Sequence, residues 1–333
     1  MAMAKTKIVI LDTHDPWWNL SVEEYLLDRV EEDEYILYLW QNQNTVVIGK
    51  NQNAWRECKN DLLEKEGGKL ARRLSGGGAV FHDLGNLNFT FLVNRKNYDL
   101  TRQVKVIQKA VLKAGINCEM TGRNDITVDG KKFSGNAFCF RKSNAYHHGT
   151  ILVSVDMSKL SRYLQVSDEK LKSKGVKSVQ SRVVNLSELN PDLTIEKMIQ
   201  YMSESFEEEY GKAEEIIYGT ESMDHKILED LYKKYSSWEW RYGETPKFDI
   251  ELSQRFQWGG VDIGLQLEKG IIKKASIYSD AMDEQFIESL PAVFEGCLFK
   301  SDCIADKIRK TPVEDHRKEM IYDIAQWIHE KGF

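Results

Sequence analysis

The sequence predicts an α+β protein in two domains, and three observations support that prediction. The chain has 333 residues, more than most single domains, and 41% of them are hydrophobic, enough for a sizeable core. Helical stripes of apolar residues occur together with short runs in which apolar and polar residues alternate. Glycine-containing turns typical of β-hairpins separate several of these runs, which favours antiparallel pairing.

Helical and strand patterns are mixed in the first two thirds of the chain. Residues at helical spacing after Asn19 predict an early helix, namely Leu20, Glu23, Glu24 and Leu27. Residues 35–40 and 45–48 are rich in β-branched and aromatic types and predict two strands. Residues 100–113 predict a helix that ends before Gly115, and residues 195–206 predict a longer amphipathic helix.

The last third of the chain has a different pattern. Val261, Ile263, Leu265 and Leu267 alternate with polar residues or glycine, which predicts a half-buried strand with hairpin neighbours. A helical pattern follows over 321–328. We therefore expect a larger domain over residues 1–245 and a small second domain, without a catalytic cluster, over residues 246–333.

Composition excludes several classes of protein. The net charge of -6 gives no general attraction to nucleic acid or to an anionic membrane, so any basic site must be local. No apolar run approaches the roughly 18 residues of a membrane span, and the N-terminal apolar run is too short for a secretory signal. The five cysteines show no Cys-x-x-Cys pairing. A soluble, cytoplasmic protein with reduced thiols is expected.

A glycine-rich segment is the most informative part of the chain. Residues 71–83 read ARRLSGGGAVFHD, with three consecutive glycines between two arginines and an apolar run. Backbone N–H groups of glycines can converge on an anion, and guanidinium groups bind phosphate or carboxylate. The segment lacks the Gly-Lys-Ser/Thr ending of a Walker loop. Considered alone, an anion site and an ordinary surface turn are equally compatible with it.

A second informative segment predicts a β-hairpin. Residues 122–137 read GRNDITVDGKKFSGNA, and Asp129-Gly130 is a strong signal for a type I′ turn. Pairing from that turn places Asp125 opposite Ser134 and Ile126 opposite Phe133. Lys132 then shares a polar face with Asp125, whereas Lys131 points the other way. An anion anchor at Lys132 and an ordinary solvated face both fit this pattern.

Two further segments leave their roles open. His147 and His148 precede a strand and have no carboxylate or thiol at metal-ligand spacing, so neither is expected to bind zinc. Each fits a pocket-lining or a structural role. The basic segment 174–182, KGVKSVQSR, is either a solvated loop or a lid over an anionic ligand.

The order of these motifs resembles that of lipoate-protein ligase A in its two-domain bacterial form. The matching motifs cover nearly the whole chain: Asp15-Pro16-Trp17, the segment from Arg72 to Asn86, Gly122 to Asp125, Lys132 to Ala137, His147 to Thr150, Lys177 to Leu186, and Ser237 to Trp240. Five ordered motifs from Arg72 to Leu186 are far more specific than one glycine-rich loop.

The resemblance implies an activity. Such ligases use ATP to convert lipoate to lipoyl-AMP, with release of pyrophosphate. They then transfer the lipoyl group to one lysine of an acceptor, either the E2 lipoyl domain of a 2-oxoacid dehydrogenase complex or the glycine-cleavage H protein. Mg²⁺ is implied with ATP, and its ligands are not indicated beyond Asp125 as a candidate. No nucleic acid or membrane partner is implied.

The resemblance also implies site residues. Lys132 is the expected catalytic residue, in contact with the lipoyl carboxylate and the α-phosphate. The expected nucleotide ligands are Arg73, Gly78, Ala79, Val80, Phe81, Asn124, Asp125 and Lys132. The expected lipoate ligands are Ser75, Gly77, Lys132 and His148. Some relatives have an arginine where this chain has Cys139, so Arg141 is not assigned to the lipoyl group.

The fold implied by the resemblance is α+β. It has a large catalytic domain with a mostly antiparallel sheet and flanking helices, related to biotin-protein ligases and class II synthetases. A small C-terminal accessory domain follows, and hinge motion is expected near residues 242–246.

Three other functions remain alternatives. An ATP-independent octanoyl or lipoyl transferase would act through a cysteine thioester, and Cys118 and Cys139 lie near the motifs. A binding protein would hold the nucleotide or lipoate without turnover. A DNA-binding regulator would need a basic helical module, which neither end of this acidic chain offers.

Overall fold

The computed structural model describes residues 5–122, 124–164, 183–242, 249–268 and 270–333. The basic segment 174–182 lies outside the described residues, as does nearly all of the hinge expected at 242–246. The predicted domain boundary between residues 245 and 246 also lies there, and it stays a prediction.

The chain forms two compact units, which are not continuous in sequence. The first consists of Met1–Ile48, Ala54–Arg73 and Ala79–Arg241, and the second of Gly49–Asn53, Leu74–Gly78 and Tyr242–Phe333. The three glycines of the glycine-rich segment therefore pack with the C-terminal part of the chain, although they lie early in the sequence.

A sheet dominated by antiparallel pairs forms the framework of the first unit. Its order is β11-β1-β2-β6-β10-β9-β8-β7, and only the pairs β11–β1 and β1–β2 are parallel. The strands are β1 (Lys5–Ile10), β2 (Glu34–Trp40), β6 (Asn86–Asn94), β7 (Glu119–Thr121), β8 (Asp125–Val128), β9 (Lys131–Arg141), β10 (Asn144–Leu152) and β11 (Glu215–Tyr218). The α+β class and the mostly antiparallel sheet are confirmed.

A smaller sheet in the same unit has the order β4-β3-β5. Its strands are β3 (Thr45–Ile48), β4 (Lys69–Arg72) and β5 (Val80–His82). β3 pairs in parallel with β4 and antiparallel with β5. The chain passes from β4 to β5 through the glycine-rich segment, so that segment links two strands that flank the same neighbour.

Helices cover the sheets of the first unit. They are α1 (Pro16–Arg29), α2 (Ala54–Glu57), α3 (Asn60–Lys65), α4 (Leu100–Lys113), α5 (Met157–Tyr163), α6 (Ile195–Tyr210), α7 (His225–Ser236) and α8 (Trp238–Tyr242). The predicted helices over 100–113 and 195–206 are confirmed. Asp99 and Thr194 accept hydrogen bonds from first-turn N–H groups of α4 and α6, which explains where both helices begin.

The main core lies between the sheet and helices α4 and α6. Val104, Ile107 and Val111 form the predicted apolar stripe of α4, and all three are buried. Met198 and Met202 of α6 are fully buried in the same cluster, as expected for core packing.

The second unit contains a three-stranded antiparallel sheet and helices. Its elements are β12 (Ile250–Arg255), β13 (Gly260–Glu268), β14 (Ile271–Ser279), α9 (Glu284–Phe294), α10 (Ser301–Arg309) and α11 (Lys318–Lys331). Val261, Ile263 and Leu265 are buried, so the predicted strand and its core-facing side are confirmed. The small α+β C-terminal region is therefore present. None of the helices that the structure describes is both long and apolar enough to cross a bilayer.

Candidate functional site

The predicted hairpin turn lies between β8 and β9. Asp129 and Gly130 have φ values of 49° and 75°, the two left-handed positions that a type I′ turn requires. Val128 pairs with Lys131, and Thr127 pairs with Lys132, as predicted from the turn.

Beyond these two pairs the predicted register is wrong. Ile126 pairs with Ser134 and Asp125 pairs with Gly135, because a β-bulge adds one residue to β9. The extra residue is Phe133, whose side chain is fully buried. The bulge moves a glycine, Gly135, to the position opposite Asp125.

Lys132 and Asp125 form an ion pair on this hairpin. Lys132 Nζ lies 2.7 Å from Asp125 Oδ1, and the two side chains are 35% and 40% exposed. The backbone carbonyl of Lys132 accepts a hydrogen bond from the N–H of Val184 at 3.0 Å, which fixes the strand at this point. Lys131 is exposed, and it pairs with Val128 beside the turn.

Asn124 precedes this pair and is held by reciprocal hydrogen bonds. Asn124 Nδ2 donates to the carbonyl of Asn136, and both the N–H and the Nδ2 of Asn136 donate to the carbonyl of Asn124. These bonds are 2.9 to 3.1 Å long. They fix the turn that leads into Asp125. Arg123, in the same motif, lies outside the described residues.

His147 supports this arrangement from the core side. Its Nε2 lies 2.8 Å from Asn136 Oδ1, and its Nδ1 lies 3.1 Å from Gln103 Oε1. Burial, with a smaller contribution from His148, lowers the pKa of His147 to about 3. His147 is therefore neutral. The structure supports a structural role for it rather than a pocket-lining one.

The two arginines of the glycine-rich segment have different roles. The Arg72 guanidinium donates to the carbonyls of Trp240 and Arg241, both at 2.8 Å, and Trp240 Nε1 donates back to the carbonyl of Arg72 at 2.9 Å. The expectation of two anion-binding forks is therefore wrong for Arg72, which caps the end of α8. Arg73 is buried, and its Nη1 donates to the carbonyl of Val47 at 3.2 Å.

Arg73 lies in a buried polar environment. Burial lowers its pKa to about 10, opposed by the electrostatic effects of Tyr146 and Glu23. The charge of Arg73 also disfavours a second positive charge nearby. The pKa of His82 is lowered to about 3, mainly by burial and further by Arg73 and His148. Arg73 thus provides a fixed positive charge at the base of the glycine-rich segment.

His148 belongs to a buried hydrogen-bond network that the sequence analysis missed. His148 Nδ1 donates to Glu23 Oε1 at 2.8 Å, and Thr90 Oγ1 donates to the same oxygen at 2.7 Å. Trp40 Nε1 donates to Thr90 Oγ1 at 3.2 Å. Glu23 is 1% exposed, which is unusual for a carboxylate. Its place on the apolar stripe of α1, between Leu20 and Leu27, was the available signal.

Val80 and Phe81 lie in β5, and Ala79 directly precedes that strand. The Phe81 side chain is buried and packs against Tyr163, so only its backbone can serve a ligand. β5 is the terminal strand of the order β4-β3-β5. Within the part of the chain that the structure describes, its outer edge has no strand neighbour, which leaves a row of backbone groups suited to a planar, hydrogen-bonding ligand.

Ser75, Gly77 and Gly78 belong to the second unit. The Ser75 carbonyl accepts from the N–H of Lys50 at 2.9 Å, and the N–H of Gly77 donates to the carbonyl of Ala281 at 3.1 Å. Gly77 has a φ of 88°. A Cβ placed on Gly76 would lie 2.4 Å from the carbonyl oxygen of Ala281, so that position needs a glycine for close approach of two backbones.

Among the described residues, all five cysteines are free thiols. No disulfide is present, and burial raises the pKa of Cys118 to about 11. Cys139 is buried on β9 opposite Tyr146.

No group of three or more His, Cys, Asp or Glu side chains in the described ranges could hold a metal ion. Arg141 forms ion pairs with the buried carboxylate of Glu24 at 2.5 Å and with Asp28 at 3.7 Å.

The mostly antiparallel sheet and the small α+β C-terminal region agree with the class of protein that the motif order indicates. Family models agree with this class. Residues 15–207 match the lipoyl protein ligase A/B catalytic domain, and residues 245–328 match the bacterial lipoate protein ligase C-terminus. The chain belongs to the lipoyl protein ligase A/B family.

Solved structures give the same result. The LipL1 protein of P. falciparum in complex with lipoate is 30% identical, with a TM-score of 0.85, and the match covers 98% of this chain and 99% of that one. A lipoate-protein ligase A bound with ATP is 26% identical over 72% of this chain and 99% of its own, with a TM-score of 0.63. A bi-partite lipoate protein ligase of T. acidophilum, studied with its E2 lipoyl domain, is 30% identical over 74% of this chain and 100% of its own, with a TM-score of 0.63.

The pKa of His147 leads to a prediction about stability. Its pKa of about 3 in the folded chain is below the ordinary value of about 6.5 expected after unfolding. Folding therefore favours the neutral ring, and this contribution to stability is complete above about pH 6.5 and is lost as the pH falls towards 3. His147→Gln should reduce the slope of unfolding free energy against pH by about 1 kcal/mol per pH unit between pH 6 and 5.

Urea unfolding of both proteins at a series of pH values measures that slope. An unchanged slope in the His147→Gln variant would contradict the assignment of His147 as a buried neutral residue.

Proposed function

We propose that this protein is an ATP-dependent lipoate-protein ligase. In the first step the carboxylate of lipoate attacks the α-phosphorus of ATP, which gives lipoyl-AMP and releases pyrophosphate. In the second step the ε-amine of an acceptor lysine attacks the acyl carbonyl, which forms the amide and releases AMP. The observation that carries this proposal is the Lys132–Asp125 pair on the bulged hairpin of a chain from this family.

Lys132 is proposed as the catalytic residue. Carboxylate attack on a phosphate brings two anions together, so a positive charge that is already in position lowers the barrier. The Lys132 ammonium is a compact charge with three donors, and its ion pair with Asp125 occupies one of them. The others can contact the lipoyl carboxylate and the α-phosphate, and Asp125 sets the direction in which they point.

Arg73, the backbone from Gly78 to Phe81, Asn124 and Asp125 are proposed to bind the nucleotide. Arg73 supplies fixed charge, and the free edge of β5 supplies backbone donors and acceptors. Mg²⁺ is proposed to accompany ATP, where it would neutralise charge on the phosphates. Its usual ligands are one or two carboxylates together with substrate phosphates, and Asp125 and Asn124 offer suitable oxygen atoms.

Ser75, Gly77, Lys132 and His148 are proposed to contact lipoate. His148 is buried and oriented by Glu23, so its ring is held in one position. Ser75 and Gly77 would contribute through the glycine-rich segment.

The proposed acceptors are lipoyl-domain proteins, namely E2 lipoyl domains or the glycine-cleavage H protein. The T. acidophilum ligase studied with its E2 lipoyl domain supports the first of these by analogy. The C-terminal family match begins at residue 245, which supports a catalytic domain over 1–245 and an accessory domain over 246–333. The absence of disulfides among the five cysteines is consistent with a cytoplasmic protein.

The alternative is an ATP-independent transferase that forms a thioester on a cysteine. A thiol must ionise to act as a nucleophile, and the pKa of about 11 leaves Cys118 almost entirely protonated at neutral pH. The match to a ligase-type C-terminal domain also favours the ligase.

Pyrophosphate release tests the proposal directly. With ATP and lipoate the protein should release pyrophosphate and accumulate lipoyl-AMP, and addition of an apo-lipoyl domain should consume lipoyl-AMP and modify one lysine. Omission of lipoate is the control. A protein that binds both ligands but releases no pyrophosphate would be a binding protein, and lipoyl transfer without ATP would identify a transferase.

Lys132→Ala and Lys131→Ala form a matched pair. Loss of the charge at Lys132 should lower the rate of lipoate-dependent pyrophosphate release by about 100-fold or more. Lys131→Ala should leave that rate close to the original, because Lys131 is exposed beside the turn. Equal effects of the two substitutions would refute the assignment of Lys132.

The double variant Cys118→Ala/Cys139→Ala separates the ligase from the transferase. ATP-dependent lipoylation of an apo-lipoyl domain should remain largely intact, because neither thiol takes part in the proposed reaction. Mass spectrometry of the acceptor measures this. Complete loss of acyl transfer in a variant that still folds would support a thioester mechanism instead.

A further inference from the structure

Gly135 occupies an unusual place beside Lys132. The bulge at Phe133 brings Gly135, rather than Ser134, opposite Asp125 in the neighbouring strand. The residue opposite Asp125 is therefore a glycine, which has no side chain.

The Lys132 side chain fills the space above Gly135. A Cβ built on Gly135 would lie 2.8 Å from Lys132 Nζ and 2.9 Å from Lys132 Cε. Both distances are shorter than Cβ contacts in folded proteins allow. The lysine therefore runs over the bare Cα of Gly135 to reach Asp125 at 2.7 Å.

Backbone geometry does not account for this glycine. The φ of Gly135 is outside the left-handed region, so an L-residue could adopt the same conformation. Its N–H donates to Thr150 Oγ1 at 3.2 Å, and its carbonyl oxygen lies 2.6 Å from the position of a Cβ on Gly149. The backbone at Gly135 is fixed on both sides, so an added methyl group would displace the flexible end of Lys132.

We propose that Gly135 is a positioning residue for Lys132, whose absent side chain directs the lysine ammonium to the place where the reacting anions meet. This inference rests on the proposed function for its catalytic consequence, whereas the placement of the lysine can be tested separately. The bulge and the glycine act together: the bulge brings position 135 opposite Asp125, and the glycine leaves room there for Lys132.

Gly135→Ala tests the proposal by kinetics. The variant should fold with a thermal midpoint close to that of the unchanged protein, because the clash is with a mobile side-chain end. Its kcat for lipoate-dependent pyrophosphate release should fall by about 100-fold, as expected for a catalytic group displaced by about 1 Å. The KM for ATP should change little, because the proposed contacts of Arg73 and of the β5 backbone with the nucleotide do not involve Lys132.

Gly260→Ala is the matched control. Gly260 also lies in a strand, and a Cβ there would approach the end of a flexible cation, Arg255 Nη1, at 3.1 Å. It belongs to the second unit and is not among the proposed site residues. The kcat of the Gly260→Ala variant should equal that of the unchanged protein.

Amine labelling tests the placement without reference to activity. Limited acetylation followed by mass spectrometry gives the labelling of Lys132 relative to Lys131 in the full chain. In Gly135→Ala this ratio should rise to the value found with Asp125→Asn, because both variants lose the ion pair between the Lys132 ammonium and the Asp125 carboxylate. Gly260→Ala should leave the ratio unchanged.

The outcomes distinguish failure of the positioning role of Gly135 from failure of the proposed ligase function. If Gly135→Ala folds and keeps both the labelling ratio and the kcat of the unchanged protein, the positioning role is refuted. If the ratio changes but the unchanged protein releases no pyrophosphate, the positioning is supported and the proposed function fails. A fall in thermal midpoint with an unchanged labelling ratio would show a merely structural role and would also overturn the proposal.

Discussion

The ion pair between Lys132 and Asp125 depends on several features of the first unit and gives the candidate site its chemistry. The two residues lie on adjacent strands of one hairpin, and 2.7 Å separates the charged atoms. A type I′ turn fixes the start of the pairing, and a bulge then shifts its register. Reciprocal bonds between Asn124 and Asn136 hold the turn before Asp125. The protein itself thereby holds the lysine in position, as its proposed electrostatic role in catalysis requires.

Buried polar residues behind the site stabilise this arrangement. His147 contacts Asn136, and His148 contacts Glu23, so adjacent residues of β10 support different parts of the site. Buried polar groups are costly unless they are hydrogen-bonded, and a satisfied network holds its members in one geometry. A neutral His147 and a charged Arg73 fit that requirement.

Local rules predicted much of the fold, and they failed where distant parts of the chain decide the outcome. The helix over 100–113 follows from its apolar spacing, and the hairpin turn follows from Asp129-Gly130. The bulge could not be predicted, because the turn residues determine only the pairs next to the turn. Arg72 was misread because its partners lie some 168 residues further along the chain.

The site was predicted less completely than the fold. Motif order indicated Lys132, but the residue that leaves room for it, Gly135, was visible only as part of a Ser-Gly pair. Glu23 carried a signal, since a carboxylate on the apolar stripe of a helix needs a buried partner. The contacts of Gly76 and Gly77 with Ala281 had no counterpart in the local sequence, because they join segments about 200 residues apart.

A crystal structure of the protein with a hydrolysis-resistant lipoyl-adenylate analogue tests the central claim most directly. The claim predicts that Lys132 Nζ lies within about 3 Å of the acyl carbonyl or the α-phosphate oxygen, with its side chain still passing over Gly135. An analogue bound with Lys132 directed into solvent, or bound away from the hairpin, would contradict it.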